Sequence, residues 1–307
     1  MNSKPSTTSH LNEQALVLHG GGSLGNAWEI GVVAGLLDAG LDATKADLIV
    51  GTSAGATAAA QMTSAPAREL LDAILSAPPV PLHVGAYGGM TPGRPGPDAL
   101  ERTNQIIAAS HDAADMRRRM GAGAMELDAA SDDAASERWR ATTVSRLPSE
   151  EWPQQRILIT AVDARSGEPV VFARDGHVDL VDAIAASTSS SVPYRVGDAR
   201  YIDGGYRRNE NADLAIGYGR VLVLSPFGGR TRHPMEWGMQ LSAQVEELLA
   251  SGSTVETIFP DADSRAVFGD NMMDASRRPL AAQAGYEQGK REARELGGFW
   301  SPTAERG

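Results

Sequence analysis

Between Ala15 and Gln61 the chain runs twice from an apolar strand through a glycine-bearing turn into a helix, and no other feature limits the fold as much. Ala15 to His19 is the first apolar run, and it stops at Gly20-Gly21-Gly22. Ile30, Val33, Ala34 and Leu37 then fall at i, i+3, i+4 and i+7, the spacing of one helical face, and Gly40 stands where a C-terminal cap belongs. Asp47 to Val50 reads as a second strand, and Ser53 opens a second helix through the Ala-rich stretch Ala56 to Gln61. Strand, helix, strand, helix calls for a parallel sheet with right-handed crossovers, and therefore for an α/β fold.

Beyond this unit the pattern changes. Pro78 to Pro97 is rich in Pro and Gly, and Leu100 to Arg146 is Ala-rich, charged and weakly periodic, so 78–147 reads as a helical insertion over the core. Arg156 to Val162 and Val170 to Ala173 are strands joined by the turn residues Asp163 to Gly167. Asp179 caps a short helix, Leu180 to Ala186, and Val221 to Leu224 is a further buried strand. Met239 to Ala250 reads as a helix, Thr254 to Phe259 as the last strand, and Ser264 to Met273 and Ala281 to Leu296 as closing helices. With no linker or internal repeat, the expectation is one α/β domain over 15–260. The helices of 261–307 pack on it, and a disordered leader, 1–14, precedes it.

Composition excludes several classes of function. The 307 residues include no cysteine, which rules out disulfides, thiolate metal sites and a cysteine nucleophile. Lys and Arg number 28 against 39 Asp and Glu, a formal net charge of −11, the wrong sign for a whole-chain nucleic-acid binder. Met1 to Glu13 has no apolar signal-like core, and nowhere do about 18 uninterrupted apolar residues occur. A soluble, cytoplasmic protein is expected.

Gly51-Thr52-Ser53-Ala54-Gly55 places a serine at a sharp strand-to-helix turn, the posture of a nucleophile, with glycines that permit strained backbone and close packing. The first turn, Gly20 to Gly25, has two readings. Gly20, Gly22 and Gly25 fit the dinucleotide spacing G-x-G-x-x-G, but Asp42 and Asp47 are poorly placed to bind a ribose at the end of the second strand. Alternatively, the N–H groups of Gly21 and Gly22 face Ser53 across adjacent strand ends and serve an oxyanion. The base for Ser53 is open between His233, the one histidine after Asp203 and set in a polar loop, and Asp203 itself, which ends a short apolar segment before Gly204-Gly205. Asp203 is a weak base at neutral pH unless desolvation raises its pKa.

Four blocks in order resemble the patatin-like phospholipase family: Gly20 to Gly25, Gly51 to Gly55, Ala186-Ser187 to Pro193, and Asp203-Gly204-Gly205. The resemblance spans about Ala15 to Leu224, with the insertion least covered. It implies a three-layer α/β/α sandwich with a mainly parallel sheet, and a lipid acyl hydrolase acting through a serine-aspartate dyad without a histidine. Ser53 is then the nucleophile and Asp203 the base, and the N–H groups of Gly20, Gly21, Gly22 and Ser23, with that of Ala54, form the oxyanion hole. Gly25, Gly51, Gly55, Gly204 and Gly205 are the motif glycines, and no metal or cofactor is implied. Many relatives carry Lys or Arg where this chain has Leu24, and the missing charge is expected to lower activity or favour neutral acyl esters over phospholipids. A transient contact with a membrane surface is also expected. Met116, Met120 and Met125 surround Arg117-Arg118-Arg119 in the insertion, a grouping that suits either a lipid surface or a solvated helix face with Met packed inward.

Overall fold

A computed structural model describes residues 10–78, 97–131 and 134–300. The N-terminal half holds β1 (His10–Leu18), α1 (Gly22–Asp38), β2 (Leu48–Gly51), α2 (Ala54–Ser64), α3 (Ala67–Ser76), α4 (Pro97–Ala109), α5 (Ala113–Ala130) and α6 (Ala135–Val144). Then follow β3 (Ile157–Asp163), β4 (Pro169–Phe172), α7 (Leu180–Ser187), β5 (Tyr194–Val196), β6 (Ala199–Asp203) and β7 (Tyr218–Leu224). The chain continues through α8 (Leu241–Ala250), β8 (Thr254–Ile258), α9 (Ala262–Phe268) and α10 (Arg278–Trp300). Most of the Pro- and Gly-rich stretch, 79–96, lies outside the described residues, as does 1–9 of the expected leader.

The central strand is β1, paired in parallel with β2 on one side and β7 on the other, with β8 parallel beyond β7. Alternate residues of a strand face opposite layers. Leu16, Leu18 and Ile49 accordingly join a core with α1, α2, α7 and α10, while Ala15, Val17, Val50 and Val223 join a second core closed by Leu241 and Leu248 of α8. The protein is a mixed α/β fold with a mostly parallel sheet between helical layers. β1 begins at His10, so residues 10–14, read as leader, are strand: the Gln14 N–H donates to Asp47 Oδ2 at 2.8 Å, and Gln14 pairs with Arg220. A strand held by backbone pairing needs no apolar run to announce it.

β3 decides where the later strands meet the earlier ones. Ile159 pairs with Gly51 of β2 on one side and Phe172 of β4 on the other, whereas Ala161 pairs with Asp203 of β6 and Val170 of β4. Since β4 occupies one edge throughout, β2 and β6 share the opposite edge and approach each other end to end. β6 is antiparallel and forms a hairpin with β5 through Gly197, a pairing too short to be read as strands from the sequence.

α1 is not the one-faced helix that its spacing predicts. Residues Leu24 to Leu36 are all buried, because the sheet covers one side and α10 the other. Glycines bring the two helix backbones into contact: a Cβ on Gly31 would stand 2.1 Å from the Ala282 carbonyl oxygen, and one on Gly289 would stand 2.2 Å from that of Val32. In the insertion, Met116 and Met120 pack inward with Val162 and Ile202. Arg117 Nε donates to the Gly167 carbonyl at 2.9 Å, and Arg118 and Arg119 pair with Asp115. Among the described residues, no helix is long and apolar enough to cross a membrane.

Gly31→Val would force α1 and α10 apart. The expected loss of stability is about 1–3 kcal/mol, as for other overpacked cores, read as a lower midpoint in urea denaturation; an unchanged midpoint would contradict the close helix pairing.

Candidate active site

Thr52 and Ser53 follow the last residue of β2 and lead directly into α2. Ser53 has φ 53° and ψ −119°, a left-handed conformation costly for any residue but glycine, by about 1–3 kcal/mol. The surroundings hold it there. The Ser53 N–H donates to Ser187 Oγ at 2.9 Å, the Thr52 N–H to the Leu18 carbonyl at 3.0 Å, and the Gly55 N–H to the Thr52 carbonyl at 2.9 Å. Gly55 lies against the end of β1, where a Cβ would fall 2.1 Å from the Leu18 carbonyl oxygen, so no larger residue fits. The side chain of Ser53 is thereby lifted clear of the helix.

Asp203 ends β6 and reaches Ser53 from the far side of the gap between the two strands. Ser53 Oγ donates to Asp203 Oδ2 at 2.8 Å, and the Gly205 N–H donates to Asp203 Oδ1 at 2.8 Å. Loss of water around the carboxyl pushes its pKa up to about 6, against the lowering effect of these two hydrogen bonds. One further side chain joins the two turns. Buried Asn211 donates through Nδ2 to Thr52 Oγ1 at 2.9 Å and to the Gly204 carbonyl at 3.1 Å, and Thr52 Oγ1 also meets Thr160 Oγ1 at 3.0 Å.

The first glycine turn stands beside this pair. A Cβ on Gly20 would lie 3.0 Å from Ser53 Cβ and 3.6 Å from its Oγ. Gly21 packs on Pro226, and Gly22, at φ 60°, packs on Met273. The Leu24 N–H is taken by the Met272 carbonyl and that of Gly25 by the Gly21 carbonyl, each at 2.9 Å. Leu24 itself points into the core. A guanidinium nonetheless reaches the turn from another element: Arg278, at the start of α10, donates to the Ser23 carbonyl at 2.7 Å and to Asn26 Oδ1 at 2.9 Å. His19 is buried edge-on to Phe227, and burial pushes its pKa down to about 3, so it carries no charge here.

His233 is not the solvated loop residue that its sequence surroundings suggest. Its Nδ1 lies 3.2 Å from both Asn209 Oδ1 and Thr231 Oγ1, and its ring stacks on Trp237. Burial and the adjacent Arg232 push its pKa down to about 4. Asp42 and Asp47 stand at the opposite end of β2 from the glycine turns, where Asp42 caps a short helical turn and Asp47 accepts from Gln14. Three residues that organise the site carried no sequence signal of their role. Thr160 is one residue in an apolar strand and Asn211 lies in a polar loop, while Ser187 ends a helix within a block noted only for its resemblance.

The family model described as patatin-like phospholipase matches residues 16–216. No curated protein matches the chain. Among solved structures, the crystal structure of VipD from Legionella pneumophila is similar, with a TM-score of 0.43 and 13% identity, over 95% of this chain and 69% of that chain.

The raised pKa of Asp203 has a sign that can be checked by denaturation. Between its ordinary value of 3.8 and about 6, the folded state holds a proton that the unfolded state has lost, so this carboxyl's contribution to stability falls as pH rises through that window. Asp203→Asn removes the dependence. The variant should be more stable than the wild type at pH 8, with an advantage that shrinks towards pH 4, and a pH-independent difference would contradict the desolvated carboxyl.

Proposed function

The chain belongs to the patatin-like phospholipase family, and from that premise we propose that it hydrolyses fatty-acyl esters through an acyl-enzyme on Ser53, with Asp203 as base. The observation that carries this reading is the 2.8 Å hydrogen bond from Ser53 Oγ to Asp203 Oδ2, made by a serine held in strained backbone beside a glycine turn. Family membership supports lipid acyl hydrolase activity in general, and the two-residue machinery is our assignment.

In the first half-reaction the Ser53 hydroxyl proton passes to Asp203 Oδ2 as Oγ attacks the acyl carbonyl. Negative charge builds on the carbonyl oxygen, which the N–H groups of Gly20, Gly21, Gly22 and Ser23, together with that of Ala54, receive. Collapse of the tetrahedral intermediate breaks the bond to the alcohol, which leaves with the proton from Asp203. Water then gives a proton to Asp203 and attacks the acyl-enzyme, releasing the fatty acid and restoring Ser53. A carboxyl with a pKa near 6 is a stronger base than an ordinary aspartate yet still ionised at neutral pH, which suits both steps. Lipid is met from solution by transient contact with a membrane surface.

Ser53→Ala should abolish hydrolysis of a p-nitrophenyl acyl ester, and Asp203→Asn should lower kcat by roughly a hundredfold or more, the range of a lost general base. His233→Ala should retain activity. For the wild type, kcat/KM should rise with pH through about 6 as Asp203 ionises. Turnover by Ser53→Ala would refute the acyl-enzyme.

A further inference from the structure

The first turn of α1 is gripped from outside by the segment that joins α9 to α10, which lies beyond the residues 16–216 matched by the family model. A helix leaves its first four N–H groups without partners of its own. In α1 the Leu24 N–H goes to the Met272 carbonyl and the Gly25 N–H to the Gly21 carbonyl, so the donors that the turn can offer an oxyanion stand before Leu24. The Ser23–Leu24 peptide is held at both ends, since its carbonyl accepts from Arg278 Nη1 at 2.7 Å while its N–H donates to Met272 at 2.9 Å. A peptide unit is planar, so fixing both polar groups fixes the plane and orients the residues just before it. Met273 closes the same turn: a Cβ on Gly22 would stand 2.5 Å from its Sδ. The gripping segment is braced by its own turns, in which the Met273 N–H donates to Asn271 Oδ1 at 3.1 Å and the Ser276 N–H to Asp274 Oδ1 at 3.0 Å.

Arg278 also couples this turn to the helix of the nucleophile. Its Nη2 donates to Asn26 Oδ1 at 2.9 Å, Asn26 Nδ2 donates to Gln61 Oε1 at 2.9 Å, and Gln61 Nε2 donates to the Arg146 carbonyl at 2.8 Å. Asn26 and Gln61 are buried, and Gln61 belongs to α2, the helix that Ser53 opens. One guanidinium thus links α10 to α1 and, through Asn26, to α2. Its rigid fork of donors suits two acceptors at once, which the point charge of a lysine does not. Burial and the nearby Arg146 guanidinium pull the Arg278 pKa down to about 10, so the group is charged at neutral pH.

We propose that Arg278 is a positioning residue for the oxyanion turn, holding the Ser23–Leu24 peptide and the start of α1 in register with Ser53. It does not touch the reacting atoms. Its contribution is made in the transition state, when negative charge reaches donors that are already aimed and a fixed positive charge stands behind them. This role rests on the hydrolase reading of Ser53, and it gives the C-terminal segment, outside the matched region, a part in the reaction.

The test uses the full-length wild type, Arg278→Met and Arg278→Lys with p-nitrophenyl butyrate, and counts intact sites in each by labelling Ser53 to completion with a fluorophosphonate. For Arg278→Met, kcat per labelled site should fall about tenfold, the scale of a lost charged hydrogen bond. KM should stay within about twofold, the pattern of an interaction expressed in the transition state. Arg278→Lys should recover part of kcat, since it restores the charge without the fork. An unchanged kcat per labelled site would overturn the proposal, as would a loss carried by KM, or one explained wholly by fewer labelled sites, which would make Arg278 a residue of folding alone. Absence of any rescue by Arg278→Lys would likewise overturn the part assigned to charge. Failure of the wild type both to cleave the ester and to take the probe would instead refute the hydrolase reading, and the positioning role with it.

Discussion

Two strands share one edge of β3, and the geometry of the site depends on that arrangement. β2 takes the register of Ile157 to Ile159 and β6 that of Ala161 to Asp163, so one parallel and one antiparallel strand end at the same gap. The turn after each strand therefore faces the other, and Ser53 meets Asp203 without any long side chain having to span the distance. The gap is narrow. A Cβ on Gly204 would stand 2.2 Å from Thr160 Oγ1, which explains a glycine directly after Asp203, and Asn211 then ties the two turns through their own polar atoms.

Such a site draws on stability that other parts of the molecule must supply. Ser53 sits in a conformation that costs about 1–3 kcal/mol, and Asp203 keeps a carboxyl where water is scarce. The buried helix α1 offsets this. It carries the first glycine turn at its N-terminus and is fixed between the sheet and α10 by backbone contacts that only glycine allows. Arg278 extends the same support, since the helix that covers α1 also sends a guanidinium to the Ser23 carbonyl. Position of the turn and packing of the core are thus one problem with one solution.

Charge follows a similar division between local pattern and spatial outcome. The run Arg117-Arg118-Arg119 is conspicuous in the sequence, yet it is held by Asp115 and by the Gly167 carbonyl. Arg232 donates to Asn104, 128 positions away, with no pattern in the sequence to mark the contact, and lines one cavity with Arg102. Neighbours along a helix neutralise each other readily because i, i+3 and i, i+4 spacing puts them in reach.

What the sequence determined by itself is local: the strand, turn and helix units around Gly20 and Ser53, and the alternation that makes the fold α/β. Apolar periodicity and glycine placement act within a few residues, so they can be read directly. The sequence also limited the candidate bases to a few residues without choosing between Asp203 and His233 on chemistry alone. It missed the polar start of β1 and the β5–β6 hairpin, because backbone pairing leaves little trace in hydropathy. Tertiary structure decided the rest. Ser53 and Asp203 are 150 positions apart, and their hydrogen bond exists because two strands meet along one edge of β3. His233 is drawn instead to Asn209 and Thr231. Register across a sheet and desolvation of a carboxyl both depend on which distant segments pack together, and local sequence does not encode that choice.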